Sequence, residues 1–237
     1  MDRKVPISRA PIIEVRDHSG KPGMTTLPAS AIILAGGQSR RMGTPKAALA
    51  FGSCTILERI IAELYCSFED ILIIAAPGQS EAMPIEHMLR KAPAPVRLLR
   101  DQTAFLGAAG ALIRGLRASA NEVAFACSCD LPLLRVEVVH ALYSMLNGYE
   151  AVIPEIHSKP QPLCAVYRCS VASRIEAELA AGEHRLTHIT SRMKARRPEN
   201  AQLREIDPGL HSFRNVNTPE DYDRALAIKR SLNLDSL

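Results

Sequence analysis

The stretch AIILAGGQSRRMGTPK, residues 31–46, joins an apolar run to a loop that is rich in glycine and in positive charge. Its first four residues predict a buried strand, and the glycines that follow allow a tight turn. Backbone N–H groups in such a turn can approach a phosphate closely, and Arg41 and Lys46 add cationic side chains. The stretch therefore predicts a phosphate-binding loop directly after a strand.

Two common phosphate-binding loops are excluded by the spacing of these residues. A Walker loop requires Gly-Lys-Ser/Thr, whereas Gly43 is followed here by Thr44-Pro45-Lys46. A dinucleotide-binding loop requires G-x-G-x-x-G at the start of a helix, whereas two glycines are adjacent here and Pro45 interrupts the pattern. Because proline fixes φ and lacks an N–H group, we expect a shaped loop rather than the start of a helix.

Strands and helices alternate along the chain after this loop. The predicted strands are 71–76, 96–99, 123–129, 151–154 and 163–167, and the predicted helices include 53–66 and 107–118. The strands are continuous apolar runs, which is typical of a sheet covered on both faces. Alternation of this kind implies parallel strands with crossover connections. We therefore predict an α/β fold, a Rossmann-like three-layer sandwich with a mostly parallel central sheet and helices on both faces.

The composition favours one domain with a short extension. The chain has 237 residues, of which 47% are hydrophobic and 4% aromatic, so it can bury a substantial core. Residues 1–28 differ from the rest, because they are charged and interrupted by prolines, and Met24 is a candidate for the natural start. We predict an N-terminal extension over 1–28 and the domain itself over 29–237.

Several classes of protein are excluded by composition. The six cysteines include no C-x-x-C pair and no Cys/His cluster with zinc spacing, which favours reduced thiols and a cytoplasmic location. The net charge of +4 is scattered and lacks an aromatic-rich basic strip, so we expect no nucleic-acid partner. No apolar run approaches the ~18 residues that a membrane helix needs, and we expect no membrane association.

Two aspartates follow predicted strands. Asp101 comes after the third strand and Asp130 after the fourth. The carboxyl ends of parallel strands share one edge of a sheet, where open α/β sheets bind ligands. A carboxylate at that edge can hold Mg²⁺ together with substrate phosphates. The structural alternatives are a helix cap for Asp130 and a turn residue for Asp101.

The loop resembles a family signature. LAGGQSRRMGTPK resembles the L-A-G-G-x-S-x-R-M-G-x-x-K motif of nucleotidyltransferases, and the Gly36-Gly37 pair resembles the molybdenum cofactor guanylyltransferases, the MobA family. Further matches follow in the family's order: Cys129-Asp130-Leu131-Pro132, Gln161-Pro162-Leu163, Ala165-Val166-Tyr167 and Asn215-Val216-Asn217-Thr218-Pro219-Glu220-Asp221. Residues 218–221 also have a structural explanation as the start of a helix.

The resemblance implies roles for individual residues. It places Leu34, Ala35, Gly36 and Gly37 at GTP, Lys46 and Arg41 at its phosphates, Asp101 at GTP, Asp130 at Mg²⁺ and GTP, and Gln161, Asn215 and Asn217 on the pterin side. Lys46, Arg41 and Asp130 would be the catalytic residues. Two departures stand out: 75–78 is AAPG where the family commonly has an Asn that contacts the nucleotide, and 107–110 is GAAG where it usually has G-P-L-A-G.

The function implied by the resemblance is transfer of GMP from GTP to the terminal phosphate of molybdenum-molybdopterin, with release of pyrophosphate and with Mg²⁺ as cofactor. Molybdopterin-carrying proteins and target molybdoenzymes or their chaperones are further candidate partners. Two alternatives are a cytidylyltransferase for the same pterin and a sugar-phosphate nucleotidyltransferase. An alternative of another class is a non-catalytic nucleotide-binding partner of molybdoenzymes.

Overall fold

A computed structural model of the chain describes residues 26–36, 45–76, 96–100 and 107–234. The strands in these residues are β1 (Ser30–Leu34), β2 (Ala50–Phe51), β3 (Cys54–Thr55), β4 (Asp70–Ala75), β5 (Val96–Arg100), β6 (Val123–Ser128), β7 (Ala151–Val152), β8 (Glu155–Ile156), β9 (Lys159–Pro160), β10 (Cys164–Arg168) and β11 (Ala195–Arg196). The helices are α1 (Ile56–Tyr65), α2 (Gly107–Ala118), α3 (Val136–Ser144), α4 (Ala172–Ala180), α5 (Leu186–Ser191), α6 (Asn200–Arg204) and α7 (Pro219–Ser231).

Seven of these strands form one sheet, in the spatial order β11-β7-β10-β6-β1-β4-β5. Strand β10 runs against both of its neighbours, while every other neighbouring pair in the sheet is parallel. The remaining described strands form two small antiparallel pairs, β2 with β3 and β8 with β9. The prediction of a mostly parallel central sheet is therefore confirmed.

The central sheet is covered on both faces. Along β1, Ala31 and Ile33 pack into one buried cluster with α1 and α3, while Ile32 and Leu34 pack into a second cluster with α2 and α4. Successive side chains of a strand point to opposite faces, so a strand that is buried on both sides reads as a continuous apolar run. The predicted three-layer α/β sandwich is confirmed.

Helix α2 lies unusually close to the central strand β1. A Cβ atom added to Gly115 would come within 2.5 Å of Ile32 Cγ2, so this position requires glycine for the contact to form. Close packing here fixes α2 directly against the strand from which the glycine-rich loop leaves.

Capping signals in the sequence mark the starts of two helices. The Thr55 hydroxyl accepts the Glu58 N–H at 3.2 Å, and the Glu58 carboxylate accepts the Thr55 N–H at 2.7 Å, so α1 begins at Ile56. The prediction of helix from residue 53 was wrong, because residues 54–55 form β3. Helix α7 begins in the same manner after Thr218, with Pro219 in its first turn.

Leu27 connects the first described residues to the core. Its side chain is 8% exposed, and its N–H group donates to the Ser67 carbonyl oxygen at 2.9 Å. Residues 1–25 lie outside the described residues, so the predicted extension stays a prediction. Over the residues that the structure describes, every helix is too short or too polar to cross a membrane.

We expect the protein to keep its melting temperature when residues 1–23 are removed, because Leu27 is retained. As the matched control, Leu27→Ala in the full chain removes that buried side chain. It should cost about 2 kcal/mol of unfolding free energy, which corresponds to a melting temperature lower by about 4–8 °C. Differential scanning calorimetry measures both. A fall of several degrees in the shortened protein would show that residues before Met24 stabilise the domain.

Candidate functional site

The site lies where the ends of β1 and β6 meet. Leu34 and Ser128 are partners in the register of these parallel strands, and the Cys129 N–H group donates to the Leu34 carbonyl oxygen at 3.0 Å. The chain moves from β1 to β4 and β5 on one side and then returns to β6 on the other side. This reversal leaves a crevice at the carboxyl ends of β1 and β6, which is where open α/β sheets bind ligands.

Lys46 enters this crevice from the far end of the glycine-rich loop. It begins a short 3-10 turn, Lys46–Ala48, that is held by the buried side chain of Ala47. The Lys46 ammonium donates to Asp130 Oδ2 at 3.1 Å and to Asn217 Oδ1 at 2.6 Å. One cation therefore connects the loop, the end of β6 and the segment before α7. Asp130 and Asn217 lie 84 and 171 residues after Lys46 in the sequence.

Asp130 is oriented by groups on two segments, the end of β6 and the residues before α7. Its Oδ1 atom accepts hydrogen bonds from the Ser128 hydroxyl and from Asn215 Nδ2, the latter at 2.9 Å. Its carbonyl oxygen accepts the Val216 N–H at 2.9 Å. These contacts leave Oδ2 directed at Lys46, and the two charged side chains are only 19% and 14% exposed. Partial burial strengthens their attraction relative to a fully solvated pair.

The two asparagines are positioned by the start of α7. Asp221 Oδ2 accepts the N–H groups of Asn217 and Thr218, each at 3.1 Å. Burial by itself raises the pKa of Asp221, but the hydrogen bonds from Asn217 and Thr218 outweigh it, and the net pKa is lowered. Val216, between the asparagines, is 1% exposed in the core. The helix cap and the buried valine together hold both amides at the crevice.

Cys129 is adjacent to Asp130 and is buried. Burial, followed by the negative charge of Asp130, raises the pKa of the Cys129 thiol to about 12. The thiol therefore stays protonated near neutral pH, whereas a thiol that binds a metal must be ionised. Cys129 is 8% exposed and packs in the core cluster beneath the site.

The start of the loop presents Gly36 to the crevice. Leu34 and Ala35 are 4% and 2% exposed, and the Ala35 N–H group already donates to the Ile74 carbonyl oxygen at 2.9 Å. A Cβ atom on Gly36 would lie 3.3 Å from both N and Cβ of Ala76, so glycine lets the loop approach the end of β4. Ala76 has no side-chain amide, unlike the Asn that the family commonly has at the end of this strand.

Of the other expected site residues, Gln161 is among the described residues, whereas Gly37, Arg41 and Asp101 are not. Gln161 follows the β8–β9 hairpin at the same edge of the sheet, and its Nε2 group donates to the Lys159 carbonyl oxygen at 3.1 Å. Its expected place beside Asn215 and Asn217 stays a prediction.

Sequence reasoning missed two residues that shape the site, Ser128 and Asp221. Ser128 stands two positions before Asp130, at the last residue of β6, and this spacing is the signal that could have indicated it. Asp221 was interpreted only as favouring the positive end of a helix, yet its carboxylate also fixes the backbone of Asn217. Ser128 orients the Asp130 carboxylate, and Asp221 orients the backbone of Asn217.

The arrangement suits the handling of an anion. A lysine, a carboxylate and two side-chain amides meet at one edge of the sheet, and each of them is hydrogen-bonded to another member of the group. Among the described residues, no group of three or more His, Cys, Asp or Glu side chains could hold a metal by itself. The described residues can therefore place a cationic side chain beside phosphates through Lys46 and offer the Asp130 carboxylate to a cation.

Comparisons with known proteins agree with this geometry. The sequence model of the MobA-like NTP transferase domain matches residues 31–197. A protein of Methanosarcina mazei, described as a probable molybdenum cofactor guanylyltransferase, is 33% identical over 201 residues, which is 83% of this chain and 89% of that protein. A protein of Mycobacterium tuberculosis with the same description is 34% identical over 199 residues, covering 79% of this chain and 94% of its own length.

Solved structures share the fold. The molybdopterin-guanine dinucleotide biosynthesis protein A of Archaeoglobus fulgidus superposes with a TM-score of 0.72 at 24% identity, over 85% of this chain and 99% of that chain. The 2-C-methyl-D-erythritol 4-phosphate cytidylyltransferase of Thermus thermophilus gives a TM-score of 0.62 at 16% identity, over 85% and 98%. The family match over residues 31–197 and the relatives at 33–34% identity confirm the resemblance: the chain belongs to the MobA-like NTP transferase family.

Proposed function

We propose that this protein transfers GMP from GTP to the terminal phosphate of molybdenum-molybdopterin and releases pyrophosphate. Relatives that are described as molybdenum cofactor guanylyltransferases, at 33–34% identity over most of their length, support the choice of substrates. The observation that carries the proposal is the cluster formed by Lys46, Asp130 and Asn217. It brings together three separate sequence motifs of that family.

The chemistry requires charge neutralisation more than proton transfer. The attacking group is a phosphate monoester oxygen, which is already ionised at neutral pH, so no strong general base is needed. The difficulty is bringing two polyanions into contact in the correct orientation. Fixed cations and hydrogen-bond donors at the α-phosphate and the leaving pyrophosphate lower this barrier. Lys46 is the described residue that can supply such a charge.

Magnesium fits the donor set of the site. The Lys46 ammonium is held between a carboxylate oxygen of Asp130 and an amide oxygen of Asn217, so the protein already places a cation between two oxygen ligands. Mg²⁺ prefers oxygen ligands, and in nucleotide sites it takes one or two carboxylates, with phosphates and water completing the shell. Asp130 would hold it through Oδ2, and the ion would offset phosphate charge during transfer.

Lys46 and Asp130 would exchange partners when a nucleotide binds. Phosphate oxygens compete with Asp130 for the Lys46 ammonium, and a divalent cation competes with Lys46 for Asp130 Oδ2. A nucleotide that draws Lys46 away would leave Asp130 Oδ2 open to the cation, and a cation on Asp130 would leave Lys46 open to phosphate. Nucleotide and metal should therefore promote each other's binding. Ser128 and Asn215 keep Asp130 in place while its Oδ2 changes partner.

The remaining details belong to the same proposal. Gly36 and Gly37 approach the nucleotide with Leu34 and Ala35, Arg41 and Asp101 contact GTP, and Gln161, Asn215 and Asn217 face the pterin side. Molybdopterin-carrying proteins and target molybdoenzymes or their chaperones are the expected protein partners. A cytoplasmic location also stays a prediction from the cysteine pattern.

The function is tested by offering molybdenum-loaded molybdopterin with GTP, CTP, ATP or UTP, with and without Mg²⁺. We expect pyrophosphate release and a GMP-containing dinucleotide, identified by mass spectrometry, only with GTP, Mg²⁺ and the pterin present. A CMP-containing product would instead assign the chain as a cytidylyltransferase. Binding of GTP with no pyrophosphate release from any triphosphate would favour the non-catalytic nucleotide-binding partner.

Lys46 is expected to act as a compact charge aimed at the α-phosphate. Its ammonium occupies a position set by Asp130 and Asn217, which a larger planar guanidinium cannot reproduce. Lys46→Ala and Lys46→Arg should each lower the turnover rate by roughly two orders of magnitude or more. Stability should change by no more than about 1 kcal/mol, because Asp130 keeps its hydrogen bonds from Ser128 and Asn215 in both variants.

The matched control is Lys194→Ala, which removes an exposed cation near β11, at the far edge of the sheet. Its single-turnover rate at saturating GTP and Mg²⁺ should equal that of the parent protein. An Lys46→Arg variant within about threefold of the parent would show that Lys46 is only part of a general positive field.

A further inference from the structure

A small pocket opens beside the Lys46–Asp130 pair, on the side of α7. Its volume is about 120 Å³, and its floor includes Val216 and Ala225, which are 1% and 4% exposed. The polar side chains at its wall are Arg214, Asn215, Asp221 and Arg224. Asn215 is shared with the site, since its amide also donates to Asp130 Oδ1 at 2.9 Å.

Most of the charged side chains at the wall of the pocket are arginines. Arg224 meets Asp221 only at 3.9 Å, and Arg214 makes no side-chain hydrogen bond or ion pair with any residue in the ranges that the structure describes. Asp221 is already engaged by the backbone of Asn217 and Thr218 through its Oδ2 atom. Two guanidinium groups and one carboxylate therefore line the pocket, and the neighbouring Glu220 adds a second negative charge that attracts Arg224.

The size of the pocket limits what can occupy it. Sites that enclose a whole small molecule have volumes of about 300–1,000 Å³, so a pocket of about 120 Å³ accepts one end of a larger ligand. Two guanidinium groups and an amide above an apolar floor suit a phosphate group, because guanidinium binds phosphate oxygens in pairs.

We propose that this pocket is a phosphate subsite for the acceptor substrate, with Arg214 and Arg224 as its cationic partners. The inference rests on the proposed function, in which the acceptor carries a terminal phosphate that must approach the nucleotide. Asn215 lies between the pocket and Asp130, so a phosphate held by the arginines is adjacent to the nucleotide site and outside it. Arg214 and Arg224 thereby determine affinity for the acceptor and contribute nothing to GTP binding.

The kinetic test replaces each arginine separately, as Arg214→Gln and Arg224→Gln, and varies the concentration of molybdenum-loaded molybdopterin at saturating GTP. Arg230→Gln is the control, because Arg230 is exposed on the same helix α7, loses the same charge and does not line the pocket. KM for the acceptor should rise roughly tenfold in the two pocket variants, since each loses a charge-assisted hydrogen bond. KM for GTP should stay unchanged, and Arg230→Gln should match the parent.

A binding measurement separates this inference from the proposed function. Inorganic phosphate is titrated into the GTP-saturated protein, and NMR follows the amide signals of Val216 and Ala225 at the pocket floor. We expect saturable shifts that are lost in Arg214→Gln and Arg224→Gln and kept in Arg230→Gln, even if no transfer reaction is found. Absent or equal phosphate shifts in all variants would overturn the subsite, and so would acceptor KM values within about twofold of the Arg230→Gln control.

Discussion

The ion pair between Lys46 and Asp130 is the contact on which the rest of the site depends. It joins the glycine-rich loop after β1 to the end of β6, and Asn217 adds the segment before α7 to the same ammonium group. The two side chains are mostly shielded from water, so their attraction is stronger than that of a surface pair. In the proposed function, phosphate and a divalent cation would interact with these same two groups, so the contact that assembles the site would also prepare it for its substrates.

The fold could be predicted from the sequence because its signals are local. Continuous apolar runs indicated strands covered on both faces. Helix α2 was predicted with its observed limits, Gly107–Ala118. The antiparallel direction of β10 and the spatial order of the strands depend on contacts between distant segments, which periodicity does not report. The start of α1 was misplaced because two residues of apparent helix pair with β2 instead.

The sequence indicated which residues form the candidate site, but it did not indicate the hydrogen bonds between them. Motif residues Lys46, Asp130, Asn215 and Asn217 were all expected near ligands, and the structure brings them together. The hydrogen bonds that join the two pairs were not expected, because Lys46 and Asp130 were assigned to GTP and the two asparagines to the pterin side. Ser128 escaped notice since a serine at a strand end has many structural roles, and only the fold shows which carboxylate it meets.

The claim that Lys46 and Asp130 act as one catalytic unit is tested most directly by a double-mutant cycle. Lys46→Ala, Asp130→Asn and the double variant are compared by the single-turnover rate of GMP transfer at saturating GTP, acceptor and Mg²⁺. If the two residues work as a unit, the double variant should transfer GMP within about threefold of the slower single variant. Losses that multiply in the double variant would show that the residues act independently and would contradict the account.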